Sequence, residues 1–221
     1  MPVLGEREAT ILEYIIRDYI RSAVPVSSER LRKKSRLELS PASIRNTMAE
    51  LDRDGYLEQP HTSGGRIPTD KAYRYFVDNF IEDRMNLMDE NFPDHDQFLK
   101  FVAKRFGMFT VIARSPEGLI SAGIDSVFSE PEFHDYETAQ TFAEILEDLS
   151  GIADKYFDIA GASPTVHIGR ENPFEEFENF SSIFAAPHKH GKSVVVFSVG
   201  PKRRDYESAV SVINYIAKNI L

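Results

Sequence analysis

The chain has 221 residues, of which 42% are hydrophobic and 28% charged, and it contains no Cys and no Trp. This length fits one large domain or two small ones, and the lack of Cys excludes a disulfide scaffold, a thiol nucleophile and any thiolate metal site. The net charge of −9 is unevenly distributed, because residues 1–80 carry 13 Lys and Arg against 12 Asp and Glu, whereas residues 81–221 carry 13 against 23.

The first sixty residues predict three helices. Apolar residues at helical spacing predict a helix over Glu6–Ser22 that ends at the following Ala-Val-Pro. Ser27 or Ser28 is expected to cap a short second helix that extends to about Lys34. The third helix is predicted over residues 40–54, with Ser40 as its N-cap and Pro41 in its first position. Its inward face is expected to carry Ile44, Met48 and Leu51.

A hairpin and a linking helix are predicted next. Tyr56 to Pro68 favours a short β-hairpin with Gly64-Gly65 in its turn. Thr69 or Asp70 then caps a helix rich in aromatic residues. Because the stretch that follows is polar and acidic, we expect a domain over 1–82, a linker over 83–97 and a second domain over 98–221.

The second half alternates between helical and extended patterns. Helices are predicted over Asp96–Phe106, Thr138–Tyr156 and from Asp205 onward. Strands are predicted over Phe109–Ala113, Leu119–Ile124, Thr165–Gly169, Ser182–Ala186 and Ser193–Val199, with His190-Gly191 as a turn and Gly200-Pro201 as a break. Hairpins beside helices predict an α+β domain with a mainly antiparallel sheet.

Two helices separated by a short break, with a hairpin directly after the second, are typical of a winged helix-turn-helix that binds double-stranded DNA. The third helix is expected to enter the major groove, where small residues allow close approach and Arg45 and Asn46 can pair with base edges. The hairpin tip is expected to contact phosphate or the minor groove. The expected DNA-contacting residues are Ser28, Arg32, Lys33, Lys34, Ser40, Ala42, Ser43, Arg45, Asn46, His61, Thr62, Ser63 and Arg66.

The same patterns allow other interpretations. Three helices and a hairpin can also serve protein–protein contact, and the cations around Lys33 can form an ordinary solvated surface. The Gly200–Asp205 segment could bind an anion, although a loop before a capped helix explains its three cations better. No nucleotide-binding or nucleophile motif is present and the six His lack metal-ligand spacing. We therefore expect no catalysis, no cofactor and no metal.

Several stretches of the sequence resemble the HrcA-type heat-inducible transcription repressors. In the first half these are Pro25–Ser28, Leu39–Leu51 and Gly55–Asp70. In the second half they are Pro131–Phe133, Val166–Asn172 and Gly200–Tyr206, so the resemblance covers about residues 4–82 and 108–221.

The resemblance implies a dimeric repressor of chaperone operons. A winged helix, with Ser40–Asp54 as its reading helix and Tyr56–Pro68 as its wing, would bind an inverted repeat. A GAF-like α+β domain would follow, and a GroEL-type chaperonin would keep the repressor active. The connection before Pro131 is too short for the inserted segment that helps family members dimerise, so a homodimer would form through other surfaces. Arg204 stands where the family usually carries Met.

An alternative function is a transcription regulator that senses a small molecule through its GAF-like domain. A third hypothesis, an enzyme with a DNA-binding appendage, lacks a catalytic set of residues. No apolar run approaches the roughly 18 residues of a membrane span, and no secretory signal is recognisable. The expected location is therefore the cytoplasm, in association with the nucleoid and away from any membrane.

Overall fold

The computed structural model describes residues 4–34, 39–60, 64–81, 94–115, 117–187 and 193–220. The chain divides into two compact units, Met1–Ile81 and Glu82–Leu221. Most of the predicted linker and the predicted turn at His190-Gly191 lie outside the described residues. The last three residues of the predicted linker, 95–97, are helical in the structure, because Asp94 caps a helix that begins at His95.

The first unit contains four helices and a two-stranded antiparallel hairpin, in the predicted order. These elements are α1 (Glu6–Ser22), α2 (Ser28–Lys34), α3 (Pro41–Arg53), β1 (Leu57–Glu58), β2 (Ile67–Pro68) and α4 (Asp70–Phe80). In the hairpin, Leu57 lies opposite Pro68 and Glu58 opposite Ile67. A helix-turn-helix followed by a hairpin is the arrangement of a winged helix.

The core of this unit forms around α1, which packs against α3, α4 and β2. The apolar stripe predicted on α1 is buried, and burial of each large aliphatic side chain stabilises the fold by about 1.5–3 kcal/mol relative to exposure. The core side chains exposed by no more than 1% are Ile11, Leu12, Ile15, Ile16, Val26, Leu31, Ile44, Leu51, Tyr56, Leu57, Ala72 and Phe76.

The second unit is built on a five-stranded sheet with the strand order β4-β3-β7-β6-β5. Every strand pair in this sheet is antiparallel, which confirms the predicted α+β class with a mainly antiparallel sheet. Its helices and strands are α5 (His95–Phe106), β3 (Phe109–Ser115), β4 (Gly118–Ala122), α6 (Ile124–Phe128), α7 (Tyr136–Glu147), α8 (Leu149–Ile159), β5 (Thr165–Ile168), β6 (Phe180–Ala185), β7 (Ser193–Pro201) and α9 (Tyr206–Tyr215). Short 3-10 turns lie at Pro131–His134, Gly169–Glu171 and Glu175–Phe177, and a π-helical turn at Ile216–Ile220 follows α9.

Aromatic rings fill the layer between one face of this sheet and helices α7 and α8. Tyr156 stacks on Phe184 with ring centroids 4.3 Å apart. Phe142 meets Phe133 edge-on at 5.1 Å and lies 5.4 Å from Phe180. Such pairs stabilise a core by about 0.5–1.5 kcal/mol beyond the area that they bury, so this layer is a closely packed core.

Two details of the second unit were predicted wrongly, and one short helix was missed. The single helix expected over Thr138–Tyr156 is two helices, because the Asp148 side chain accepts a hydrogen bond from Gly151 N at 3.2 Å and begins α8. Gly200-Pro201 does not break β7, which runs through Pro201 opposite Phe180 of β6. A proline is tolerated at a strand terminus because the ladder does not need its missing N–H there. The short helix α6 was not predicted.

Candidate nucleic-acid interface

Helix α3 begins as the sequence predicts. The Ser40 side chain accepts a hydrogen bond from Ser43 N at 3.1 Å, and Pro41 occupies the first helical position. Since Pro41 has no N–H and the cap uses that of Ser43, Ala42 supplies the first-turn N–H that can meet a phosphate. Ser40 and Ala42 are both exposed, so this turn is open to a ligand.

The two faces of α3 differ in character. Ile44, Met48 and Leu51 are buried in the unit, as predicted, with exposures of 0%, 6% and 1%. The opposite face is exposed at Arg45 and Asn46, and Ser43 is half-buried. Small residues beside a guanidinium and a carboxamide give a surface that can approach base edges closely and pair with them.

The end of α3 is fixed by the hairpin and by α4. Gly55 follows the helix with φ = +75°, a left-handed conformation that glycine adopts without strain. Thr69 Oγ1 donates to Gly55 O at 2.7 Å, and Lys71 Nζ donates to Asp54 O at 2.7 Å. The Lys71 contact satisfies one of the carbonyl groups that a helix terminus leaves without an intrahelical partner, and the Thr69 contact holds the turn after α3 to the start of α4.

Helix α2 carries the predicted cations. Ser27 caps it, because its hydroxyl accepts a hydrogen bond from Arg30 N at 3.1 Å, and Ser28 is its first residue. Arg32 and Lys33 are exposed, and Lys33 Nζ lies 2.7 Å from Glu29 Oε1. That hydrogen bond and the charge of Lys33 hold the pKa of Glu29 below its usual value. The side chain of Lys34 lies outside the described part of the chain.

Sequence reasoning missed the partner of a further cation on α2. The Arg30 guanidinium forms an ion pair with Asp18 of α1, and Asp18 is only 4% exposed. This pair holds α2 against α1. A polar residue at position 18 within an apolar stripe is the signal that could have revealed it.

The predicted wing residues fall into two groups. His61, Thr62 and Ser63 lie outside the described residues. Arg66 lies just before Ile67, where the hairpin returns from its turn, and its Nε is 2.8 Å from Asp52 Oδ2 of α3. Arg66 is therefore engaged with α3 itself, an arrangement that its spacing in the sequence did not indicate.

Open depressions in the surface of the second unit include two among the described residues. One, of about 160 Å³, lies beside Arg114 and Asp154, and the other, of about 380 Å³, beside Arg170 and Phe174.

Within the described ranges no group of three or more His, Asp or Glu is placed to hold a metal ion. In the same ranges, no helix has both the length and the apolar character needed to cross a bilayer.

Comparison with known families decides the relationship. A family model described as the HrcA protein C terminal domain matches residues 74–210, which is more than half of the chain. The chain belongs to the HrcA family. Together with relatives that align over the first half as well, this confirms the resemblance inferred from the sequence motifs.

Individual HrcA relatives align with most of the chain. The heat-inducible transcription repressor HrcA of Alkaliphilus metalliredigens is 26% identical over 333 positions, covering 98% of this chain and 97% of that protein. Because this chain has only 221 residues, a large part of that relative has no counterpart here. The HrcA of Desulfitobacterium hafniense is 34% identical over 193 residues, covering 82% of this chain and 52% of that protein.

A solved structure shares the fold of this HrcA-family chain. The crystal structure of a hypothetical protein at 2.2 Å resolution superposes with a TM-score of 0.74 and 21% identity, covering 97% of this chain and 95% of that one. At this level of identity the likeness concerns the fold alone.

Proposed function

We propose that this protein is a transcription repressor that binds an inverted-repeat operator of heat-shock genes as a homodimer. The observation that carries the proposal is the exposed face of α3, which bears Ala42, Arg45 and Asn46 after an open helix start. Membership of the HrcA family supports it, since the relatives compared are named heat-inducible transcription repressors.

In this mechanism α3 enters the major groove with its first turn toward the DNA. Arg45 and Asn46 form hydrogen bonds with base edges, while Ser28, Arg32, Lys33, Lys34, Ser40, Ala42 and Ser43 contribute phosphate contacts or close approach. The wing residues His61, Thr62 and Ser63 reach the adjacent backbone or minor groove. Two copies bound to half-sites about one helical turn apart, or a multiple of that, block the promoter sterically.

Selection of bound DNA from a random pool tests this function. The purified full chain is expected to enrich a palindromic sequence, because a two-fold dimer reads two identical half-sites. Enrichment of a single unrepeated motif would contradict binding as a symmetric dimer. Failure to enrich any sequence, with a chain shown to be folded by circular dichroism, would contradict the proposed function.

The Lys33→Ala variant is expected to bind all DNA sequences somewhat more weakly, with a slope of log affinity against log salt lower by about one. The reason is that Lys33, exposed on α2, would leave its ion pair with Glu29 and form one with a DNA phosphate. A salt titration of operator binding measures this. Lys100→Ala is the matched control, because Lys100 also forms an exposed i,i+4 pair, with Asp96 at 2.5 Å in the second unit. An unchanged slope for Lys33→Ala would show that Lys33 does not contact phosphate.

The alternative of a ligand-gated regulator has less support. A ligand inside the GAF-like unit needs space between the sheet and helices α7 and α8. In the described residues the centre of that layer is filled by rings, including Tyr156, whose ring centroid lies 4.3 Å from that of Phe184 and 5.2 Å from that of Phe197. The depression beside Arg114 and Asp154 is open and lies at the edge of the layer, where β3 and β4 meet α8. We therefore do not propose a small-molecule ligand, and control by a GroEL-type chaperonin stays a prediction from the family resemblance.

A further inference from the structure

Arg66 is held by its backbone as well as by its side chain. Arg66 N donates to Val26 O at 3.0 Å, and Val26 N donates to Arg66 O at 2.9 Å, so the returning arm of the wing pairs with the turn between α1 and α2. The Arg66 guanidinium reaches the last turn of α3, where its Nε lies 2.8 Å from Asp52 Oδ2. One residue thus joins the wing both to the turn before α2 and to α3.

The neighbouring Gly65 brings the two segments into direct contact. Gly65 is buried, and a Cβ atom at this position would lie 2.7 Å from the carbonyl carbon of Pro25. A side chain here would therefore force the wing away from the turn between α1 and α2. The close approach that glycine permits keeps Arg66 in register with Val26.

We propose that Asp52 and Arg66 are positioning residues that fix the wing relative to the reading helix α3. The inference rests on the proposed function. Binding in the major groove by α3 and backbone contact by the wing must occur at a fixed separation, and the ion pair sets that separation at the end of α3 nearest the hairpin. Arg66 acts through Asp52 and does not itself contact phosphate, in contrast to the expectation from the sequence.

The positioning role predicts that loss of the Asp52 charge changes operator affinity in the direction opposite to the one that charge repulsion alone would give. Removing a negative charge near DNA ordinarily strengthens binding, because it lowers repulsion of the phosphates. If Asp52 positions the wing, Asp52→Asn instead weakens operator binding, by about threefold to tenfold on the scale of couplings between contacting residues. Because no phosphate contact is lost through Arg66, the salt slope for Arg66→Ala is expected to equal that of the wild type.

The test measures operator affinity and its salt dependence for wild type, Asp52→Asn, Arg66→Ala and the double variant. The two single changes are expected to weaken binding to a similar extent, and the double variant no further, because both remove the same ion pair. Glu13→Gln is the matched control for charge, since Glu13 forms a similarly exposed pair with Arg17 at 2.8 Å on α1. The affinity of the Glu13→Gln variant for the operator is expected to stay unchanged or rise.

Two results would overturn the proposal. One is unchanged or stronger binding by Asp52→Asn, and the other is a salt slope lowered by about one in Arg66→Ala, which would make Arg66 a phosphate contact. Asp52→Glu, which keeps the carboxylate, is expected to recover part of the affinity, and this separates positioning from a loss of folding. If the proposed function is wrong, the wild type itself binds no operator. If only this inference is wrong, the wild type binds the operator and the variants fail to show the expected changes in affinity.

Discussion

Arg203→Ala is expected to lower the free energy of unfolding of the second unit by about 2–4 kcal/mol. The Arg203 side chain is only 9% exposed, and its Nε lies 2.6 Å from Glu132 Oε1 while its Nη2 lies 2.9 Å from Glu132 Oε2. Nη2 also pairs with Glu130. Burial opposes the charge, but the hydrogen bonds to Glu132 and Glu130 outweigh it and hold the pKa of Arg203 above its usual value.

The loss is expected to be large because the truncation leaves two carboxylates side by side without their cation. Both are about one-third exposed, so water compensates in part, and we expect less than the full cost of breaking a buried pair. Urea unfolding of the full chain, followed by a probe in the second unit, measures the change. Arg203→Lys is expected to recover only a part, since an ammonium cannot bind a carboxylate in the bidentate manner of a guanidinium.

Arg170→Ala is the control for this prediction. Arg170 pairs with Glu178 at 2.7 Å, but its side chain is 83% exposed, and exposed pairs stabilise proteins by only about 0–1 kcal/mol. Equal effects of the two substitutions would mean that the Arg203 cluster contributes no more than a surface ion pair. A larger effect at Arg203 would support its role in joining the start of α9 to the segment around Glu132.

Local signals in the sequence predicted the elements of the first unit well. Ser40 and Pro41 mark the start of α3 because capping and a missing N–H are properties of single residues. The break at Asp148 was not predicted, because apolar residues at Ile145, Ile152 and Tyr156 keep the helical period across it. A continuing period gives no indication that one carboxylate begins a new helix.

The exposed face of α3 was predicted, but the long-range ion pairs of the two units were not. Exposure of Arg45 and Asn46 follows from the period of α3, which fixes its buried face. The pairing of Asp52 with Arg66, and of Arg203 with Glu132, joins residues 14 and 71 positions apart. Charged residues carry no periodic signal for such partners, so only the folded chain brings them together.

Arg45→Ala and Asn46→Ala are each expected to cost about 1–3 kcal/mol of binding free energy at each half-site and to relax the preference for one base pair there. The reason is that a paired hydrogen bond to a base edge distinguishes that base, whereas Ala offers none. Each loss is doubled in the palindrome if both half-sites are bound together. Competition with operators changed at one position measures both affinity and preference.

Arg53→Ala provides the comparison, because Arg53 is also exposed on α3 but lies in its last turn, away from the open helix start. We expect it to leave the base preference intact, since only the first turns of α3 reach the floor of the groove. If Arg45→Ala weakened every sequence equally and lowered the salt slope by about one, Arg45 would be a phosphate contact. The reading of bases would then depend on Asn46 alone, and a relaxed preference in Asn46→Ala would be needed to keep α3 as the reading helix.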